Sequence, residues 1–224
     1  KFYNMKQILL IGGEGYIGKV VSNYLLENNY FVISYDNLIY IKDKKNYKYN
    51  IQNNFQFEFG DISNLKKLNK LIDNIDSVVI LAGLVGDPIT KKYPDISKKI
   101  NLIYLKNIID LIKKKKICKT IFISTCSNYG LIPDNMYADE KYKLNPLSLY
   151  SKAKVSIEKY IISQTKYENF NPTILRFATA FGLSQRMRFD LTVNEFTRDI
   201  LLGKSLEIYD KNTWRPYCHV KDFA

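Results

Sequence analysis

Gly12-Gly13-Glu14-Gly15-Tyr16-Ile17-Gly18 stands between two apolar segments. Before it, Gln7-Ile8-Leu9-Leu10-Ile11 reads as a buried strand. After it, residues Tyr16 to Asn28 carry Val20, Val21, Tyr24 and Leu25 at helical spacing. Strand, glycine turn and helix together make the setting in which such a pattern binds a dinucleotide. Gly12 and Gly15 lack side chains, so the backbone can turn tightly and approach a pyrophosphate. The helix start then offers unpaired N–H groups and a positive dipole end to the phosphates. Gly18 is expected to let the helix pack close to its strand.

The next strand supports this reading over that of a merely structural turn. Tyr30-Phe31-Val32-Ile33-Ser34-Tyr35 is apolar and ends in Asp36, 18 residues after Gly18. That is near the spacing at which a carboxylate accepts hydrogen bonds from the adenosine ribose hydroxyls. It would also repel a 2′-phosphate, and positions 37–41 hold no Arg or Lys. The expected cofactor is therefore NAD rather than NADP.

With 224 residues, 46% of them hydrophobic and 25% charged, the composition is globular. No apolar run approaches the ~18 residues of a membrane span. Residues 1–6 lack the apolar core and cleavage site of a signal peptide. The expectation is a cytoplasmic protein with no membrane partner. Cys118, Cys126 and Cys218 are odd in number and lack CxxC spacing, which argues against disulfides and zinc. His219 is the single histidine, so no metal site is expected and a Ser-His-Asp triad has little material. The net charge of +12 raises nucleic acid as a partner, but the lysines form no sustained stripe and no nucleic-acid motif accompanies them. The densest run, Lys113 to Lys116, falls where a helix should end and cations suit its dipole.

Strands are expected at 6–11, 30–35, 55–59, 76–81, 119–124 and 171–176, and helices at 16–28, 63–73, 95–115, 146–168 and 189–202. This alternation implies an α/β fold, a doubly wound parallel sheet of Rossmann type. Residues 43–54 and 133–145 read as loops. Leu206-Glu207-Ile208-Tyr209 reads as a further strand and Arg215 to Val220 as an ordered segment. Lys221 to Ala224 reads as the first turn of a helix that does not continue. The expected division is an NAD-binding domain over 1–176 and the start of a small, incomplete C-terminal substrate lobe over 177–224.

Tyr150 and Lys154 have YxxxK spacing, which puts both on one helix face. A lysine there can hold the nicotinamide ribose and favour a phenolate. Lowering a tyrosine from ~10 toward 7 asks for about 4 kcal/mol, and nearby positive charge acts in that direction. Among 18 tyrosines chance pairs are expected, and Tyr40/Lys44, Tyr137/Lys141 and Tyr217/Lys221 have the same spacing. Only Tyr150 opens a long amphipathic helix, and it follows the fifth strand, where open α/β sheets place chemistry. That strand ends Ser124-Thr125-Cys126-Ser127. A hydroxyl there can bond both the reacting alcohol and the phenol; the alternative is that it only caps the strand.

Together these residues resemble the extended short-chain dehydrogenases, in particular the NAD-dependent sugar-nucleotide epimerase/dehydratase group. The likeness runs along essentially the whole chain. It includes GGEGYIG, Tyr35-Asp36-Asn37-Leu38, Gly60-Asp61-Ile62, Leu81-Ala82-Gly83, Ser124 to Gly130, Asn145-Pro146 with Tyr150 and Lys154, Leu175-Arg176-Phe177, and Arg215 to Val220.

The resemblance implies that Gly12, Gly15, Tyr16 and Ile17 meet the pyrophosphate and that Asp36, with Asn37 beside it, holds the adenosine ribose. Asp61 and Ile62 would flank adenine, and Leu81, Ala82 and Gly83 would line the cofactor's path. Thr125, Tyr150 and Lys154 match the catalytic set. Thr179 falls at a substrate-binding position, and Arg215 at one that binds nucleotide-sugar phosphates. Ile11 replaces a common Thr. Cys126 and Ser127 replace the Asp-Glu pair of 4,6-dehydratases, and a thiol and a hydroxyl are poor substitutes for carboxyl acid–base chemistry. The implied enzyme oxidises C4 of a nucleotide-sugar substrate with NAD, as a 4-epimerase or 4-dehydrogenase, in bacterial surface-polysaccharide synthesis. Its implied assembly is a homodimer through the helices at 95–115 and 146–168. Alternatives on the same scaffold are a 4,6-dehydratase, a decarboxylase or a non-catalytic NAD sensor.

Overall fold

The computed structural model of the chain describes residues 5–41, 43–48, 52–117, 119–166, 170–209 and 211–224. Among these, six parallel strands form one sheet in the order β3-β2-β1-β4-β5-β6. They are β1 (Gln7–Ile11), β2 (Phe31–Asp36), β3 (Phe55–Phe59), β4 (Ser77–Ile80), β5 (Lys119–Thr125) and β6 (Thr173–Phe177). The chain order reverses between β1 and β4, and the crevice for a ligand opens beyond their carboxyl ends.

Strand alternation divides the core in two. Leu9 and Ile11 face one side with Ile33, Tyr35, Val78, Ile80 and Phe122. There they meet helices α2 (Leu65–Leu71), α5 (Leu105–Lys114) and α6 (Leu149–Gln164) through Leu68, Leu105, Ile108, Ile109, Ile112, Ile157 and Ile161. Ile8, Leu10, Val32 and Val79 face the other side and pack on α1 (Tyr16–Glu27) through Val21 and Leu26. On that side Ile121, Ile123, Leu175 and Phe177 line a largely apolar cavity of about 250 Å³, with Phe223 and Ala224 at its rim.

The helix expected over 95–115 forms as one helical run with a π-helical turn inside it. α3 (Asp87–Lys92) and α4 (Pro94–Lys98) precede a π-helical turn, Lys99–Tyr104, that leads into α5. α5 ends at Lys114, within the lysine run. α6 starts at Leu149 rather than 146 because Ser148 caps it: its side chain accepts from the Ser151 N–H, and the Ser151 side chain returns to the Ser148 N–H. α7 (Thr192–Leu201) closes the helical set among the described residues. None of the described helices is long and apolar enough to cross a membrane.

The strand expected at 206–209 does not form. Leu206 to Tyr209 have no strand partner among the described residues, and all but Leu206 are exposed. Instead β7 (Thr179–Phe181) pairs in parallel with β8 (Tyr217–His219). Gly182 permits that approach: at φ +110°, a Cβ on it would lie 2.4 Å from the His219 ring.

Candidate active site

The glycine turn leaves β1 through Gly12, whose φ is +90° and whose N–H donates to the Tyr35 carbonyl at 2.8 Å. A Cβ there would sit 2.7 Å from the Ala82 nitrogen, so only glycine fits. Gly15 opens α1 with no side-chain cap and no acidic residue in the first turn. The amides of Tyr16 and Ile17 are thus first-turn donors without intrahelical acceptors. This uncapped start over a glycine-rich turn fits a pyrophosphate. Gly18 acts differently from expectation: a Cβ would lie 2.6 Å from the carbonyl oxygens of both Gly12 and Gly13. The turn itself, rather than strand packing, demands the glycine.

Asp36 ends β2 beside this turn. Its carboxylate accepts from the Leu38 N–H at 2.7 Å and the Glu14 N–H at 3.1 Å. Burial raises its pKa; the two N–H donors and Lys19 oppose the rise, and the Glu14 charge adds to it. Asn37 donates to Asp61 at 2.7 Å, joining the ends of β2 and β3. Burial acts against the Asp61 charge, but bonds from Ser63 and Asn37 prevail and lower its pKa. Ile62 packs on the core beside it. Leu81 and Ala82 both donate backbone N–H groups to the Ile11 carbonyl, at 2.9 and 2.8 Å. Leu81, Ala82 and Gly83 therefore lie directly across from the glycine turn.

The Tyr16 side chain turns away from any phosphate. Its hydroxyl donates to the Gly182 carbonyl at 2.6 Å and accepts from Asn194 at 3.2 Å. Ser184 donates to the Tyr16 carbonyl at 2.7 Å. Only the amide of Tyr16 is left for a pyrophosphate, and its ring ties the turn to the 177–224 segment.

Tyr150 and Lys154 stand one turn apart on α6. The Lys154 ammonium lies 5.8 Å from the Tyr150 ring centroid and donates to the Ile123 carbonyl at 2.7 Å. It is 3% exposed. Burial lowers its pKa from 10.5 to about 8, partly offset by the Glu158 carboxylate. Thr125 ends β5, and its Oγ1 accepts from the Ser127 N–H at 3.2 Å, so the hydroxyl also caps the short turn that follows. Burial pushes the Cys126 thiol up, against the opposing charge of Arg215. The β7–β8 pairing sets Thr179 opposite Tyr217, and the Thr179 N–H donates to the Pro216 carbonyl at 3.0 Å. Thr179 and Arg215 thus share one edge of the site.

Several polar residues near the site escaped the sequence reading. Glu158 is buried beneath α6 and takes a forked bond from Arg176, with Nη2 at 2.7 Å and Nε at 3.1 Å from Oε2. Ser124 and Asn128 also donate to it. Ser124 is therefore a buried structural hydroxyl rather than a free one. Its signal was available: Glu158 continues the Tyr150, Lys154 stripe at i+4, where a charge needs a partner. Asn101, in the π-helical turn, exchanges two hydrogen bonds with the Leu84 backbone, at 2.9 and 3.0 Å. It thereby holds the segment after β4, and π turns recur at such sites. Arg186 stacks on the Tyr40 ring at 4.6 Å, and Arg188 pairs with Asp190. Nothing in local spacing marked these two arginines.

The NAD dependent epimerase/dehydratase family matches residues 8–224 of this chain. The chain belongs to that family. It is an NAD-dependent enzyme of the short-chain dehydrogenase type, as its resemblance implied. Among solved structures it is similar to a UDP-N-acetylglucosamine 4-epimerase from Methanobrevibacter ruminantium in complex with UDP-N-acetylmuramic acid. The two are 27% identical with a TM-score of 0.87, over 98% of this chain and 70% of that one. A UDP-glucuronic acid 4-epimerase from Bacillus cereus, in complex with UDP-glucuronic acid and NAD, is also 27% identical, with a TM-score of 0.83 over 97% and 70%. A UDP-glucose 4-epimerase of Rhizobium meliloti is 28% identical over 97% of this chain and 69% of its own length.

Proposed function

We propose that this family member oxidises the C4 hydroxyl of a nucleotide-activated sugar. It then acts as a 4-epimerase, if hydride returns to the opposite face, or as a 4-dehydrogenase, if the 4-keto sugar leaves. NAD, when bound, supplies the hydride acceptor. Tyr150 takes the proton of the C4 hydroxyl, and Thr125 orients that hydroxyl. Lys154 favours the phenolate by its positive charge and holds the nicotinamide ribose. Gly12, Gly15 and the amides of Tyr16 and Ile17 receive the pyrophosphate. Asp36 and Asn37 hold the adenosine ribose, Asp61 and Ile62 flank adenine, and Leu81, Ala82 and Gly83 line the path between. Thr179 faces the sugar, and Arg215 the substrate phosphates.

The observation that carries this reading is the buried Lys154 ammonium beside the Tyr150 ring, at the carboxyl end of the strand that ends in Thr125. Cys126 and Ser127 disfavour water elimination, since a thiol that burial keeps protonated offers no carboxyl chemistry. The test is incubation with a panel of nucleotide sugars and NAD, read by mass spectrometry and proton NMR. An inverted C4 centre or a 4-keto product of unchanged deoxygenation state supports the proposal. A 6-deoxy-4-keto product or CO₂ overturns it in favour of the dehydratase or decarboxylase.

The proposal includes a division of labour near residues 176–177, with residues 1–176 holding NAD and 177–224 facing the sugar. It also includes a cytoplasmic homodimer serving bacterial surface-polysaccharide synthesis. Exposed Ile103 before α5, and Leu149 and Ile162 on α6, support the dimer, because they leave apolar surface on the helices that would form it.

A further inference from the structure

Glu14, inside the glycine run, is the least expected residue of the site. A carboxylate at a turn built for phosphates ought to repel them. Its side chain is instead 1% exposed and points beneath the turn. One oxygen accepts from the Ser34 hydroxyl at 2.6 Å; the other meets the Lys19 ammonium and the Tyr47 hydroxyl. Lys19 is equally buried and also lies under the Tyr47 ring, 5.2 Å from its centroid. The Glu14 N–H, in turn, donates to Asp36. Leu38, whose φ of +54° is unusual for leucine, is held in place by the other Asp36 oxygen. Ser34, locked by Glu14, fills the space beneath Gly13, where a Cβ would come within 2.4 Å of its oxygen.

The charges matter as much as the bonds. Glu14, Asp36 and Lys19 form a cluster of two anions and one cation. Lys19 pairs with Glu14, so the three groups together leave one net negative charge beside the ribose side, where Asp36 stands. Without the Glu14 charge, Lys19 would be a free buried cation within reach of that same side. A 2′-phosphate would then find a partner instead of repulsion.

We propose that Glu14 is a positioning and specificity-determining residue for the cofactor. By neutralising Lys19 it keeps the adenosine pocket negative, so that NAD is taken and a 2′-phosphorylated dinucleotide is refused. This rests on the NAD-binding reading above and adds a second residue to the discrimination expected of Asp36. Among the described residues, Lys44, which donates to the Asn37 carbonyl, Arg186, stacked on Tyr40, and Arg188, whose charge also reaches Tyr40, are further cations near this end. All three are common to every variant compared below, so a ratio of affinities isolates Glu14.

The experiment measures the dissociation constants of NAD and NADP for the purified chain by calorimetry. The variants are Glu14→Gln, Glu14→Gln with Lys19→Met, and Glu14→Ala. Glu14→Gln keeps the shape and an acceptor oxygen for one of the two hydroxyls, Ser34 or Tyr47, presents an N–H donor to the other, and removes the charge. The NADP-to-NAD ratio of dissociation constants is expected to fall by about tenfold or more, the scale of one poorly screened charge near a phosphate. Adding Lys19→Met restores the wild-type ratio. Glu14→Ala admits water around Lys19 and is expected to shift the ratio in the same direction, should the glutamine variant fail to fold. A residue that only braces the turn would weaken both cofactors in parallel, and an unchanged ratio overturns the proposal. Failure of the wild-type chain to bind either dinucleotide would instead overturn the cofactor reading on which it rests.

Discussion

The Lys154 ammonium stands 5.8 Å from the centroid of the Tyr150 ring while bonded to a carbonyl of the neighbouring strand. The helix supplies the spacing, and Ile123 fixes where the charge points. Lys154→Met keeps the length of the side chain and removes the charge. The expected result is a loss of turnover on the order of 10²-fold, within the range of general acid–base contributions. Tyr150→Phe should lose more, about 10³-fold, with NAD binding little changed. Single-turnover NAD reduction, followed at the absorbance of the reduced nicotinamide, checks both.

The same lysine sets a pH dependence of stability. Burial lowers its pKa from 10.5 to about 8 in the folded chain. Between those values the unfolded chain holds the proton and the folded chain does not. The unfolded state therefore binds more protons there, and stability rises with pH through this window. The penalty is full below pH 8 and relieved toward pH 10.5; integrated, it amounts to about 3 kcal/mol. Lys154→Met should remove it. Urea unfolding of both proteins from pH 7 to 10.5 is expected to show the variant more stable at pH 7, with the gap closing as pH rises. A constant gap would count against the lowered pKa.

Glu158 and Arg176 anchor α6 to β6 through a charge pair whose carboxylate is buried. Removing one partner leaves the other unpaired, which costs about 3–5 kcal/mol. Glu158→Ala is expected to lose that much stability. The double replacement Glu158→Leu with Arg176→Met should recover a large part of it. Chemical denaturation of the three variants measures both numbers, and a double variant no better than the single one would place the cost in packing instead.

The sheet was legible because each strand is a short apolar run and each crossover helix has its own stripe. The positions of Asp36 at the end of β2 and of Tyr150 and Lys154 on one face of α6 were legible because they depend on spacing within one element or one βαβ unit. Glu14 and Asn101 were not, because each is explained by a partner far along the chain, Tyr47 and Leu84; Glu158 had a local signal one turn after Lys154, but its partner Arg176 had none. The misread strand at 206–209 has the same cause. Its residues have suitable β propensity, but Pro216 and the Gly182 turn bring 217–219 to β7 instead, and pairing rather than propensity decides a strand. The π turn inside the 95–115 helix carries Asn101, whose side chain bonds the Leu84 backbone, a partner that local spacing does not reveal.

Tyr16 joins the glycine turn to the two-stranded β7–β8 ribbon, and its hydroxyl is the joint. It donates to Gly182, accepts from Asn194, and loses both in Tyr16→Phe. The ring would still fill its pocket against Ala180 and Val220, so the expected cost in stability is small, about 1–2 kcal/mol for the unpaired carbonyl and amide. The larger effect should be on substrate. Thr179 and Arg215 ride on the ribbon that this hydroxyl holds, whereas the amides that face the cofactor belong to the turn. Tyr16→Phe is thus expected to raise KM for the nucleotide sugar severalfold with NAD affinity unchanged. Steady-state kinetics with calorimetric NAD binding separate the two, and a parallel loss of cofactor affinity would assign the hydroxyl to the turn alone.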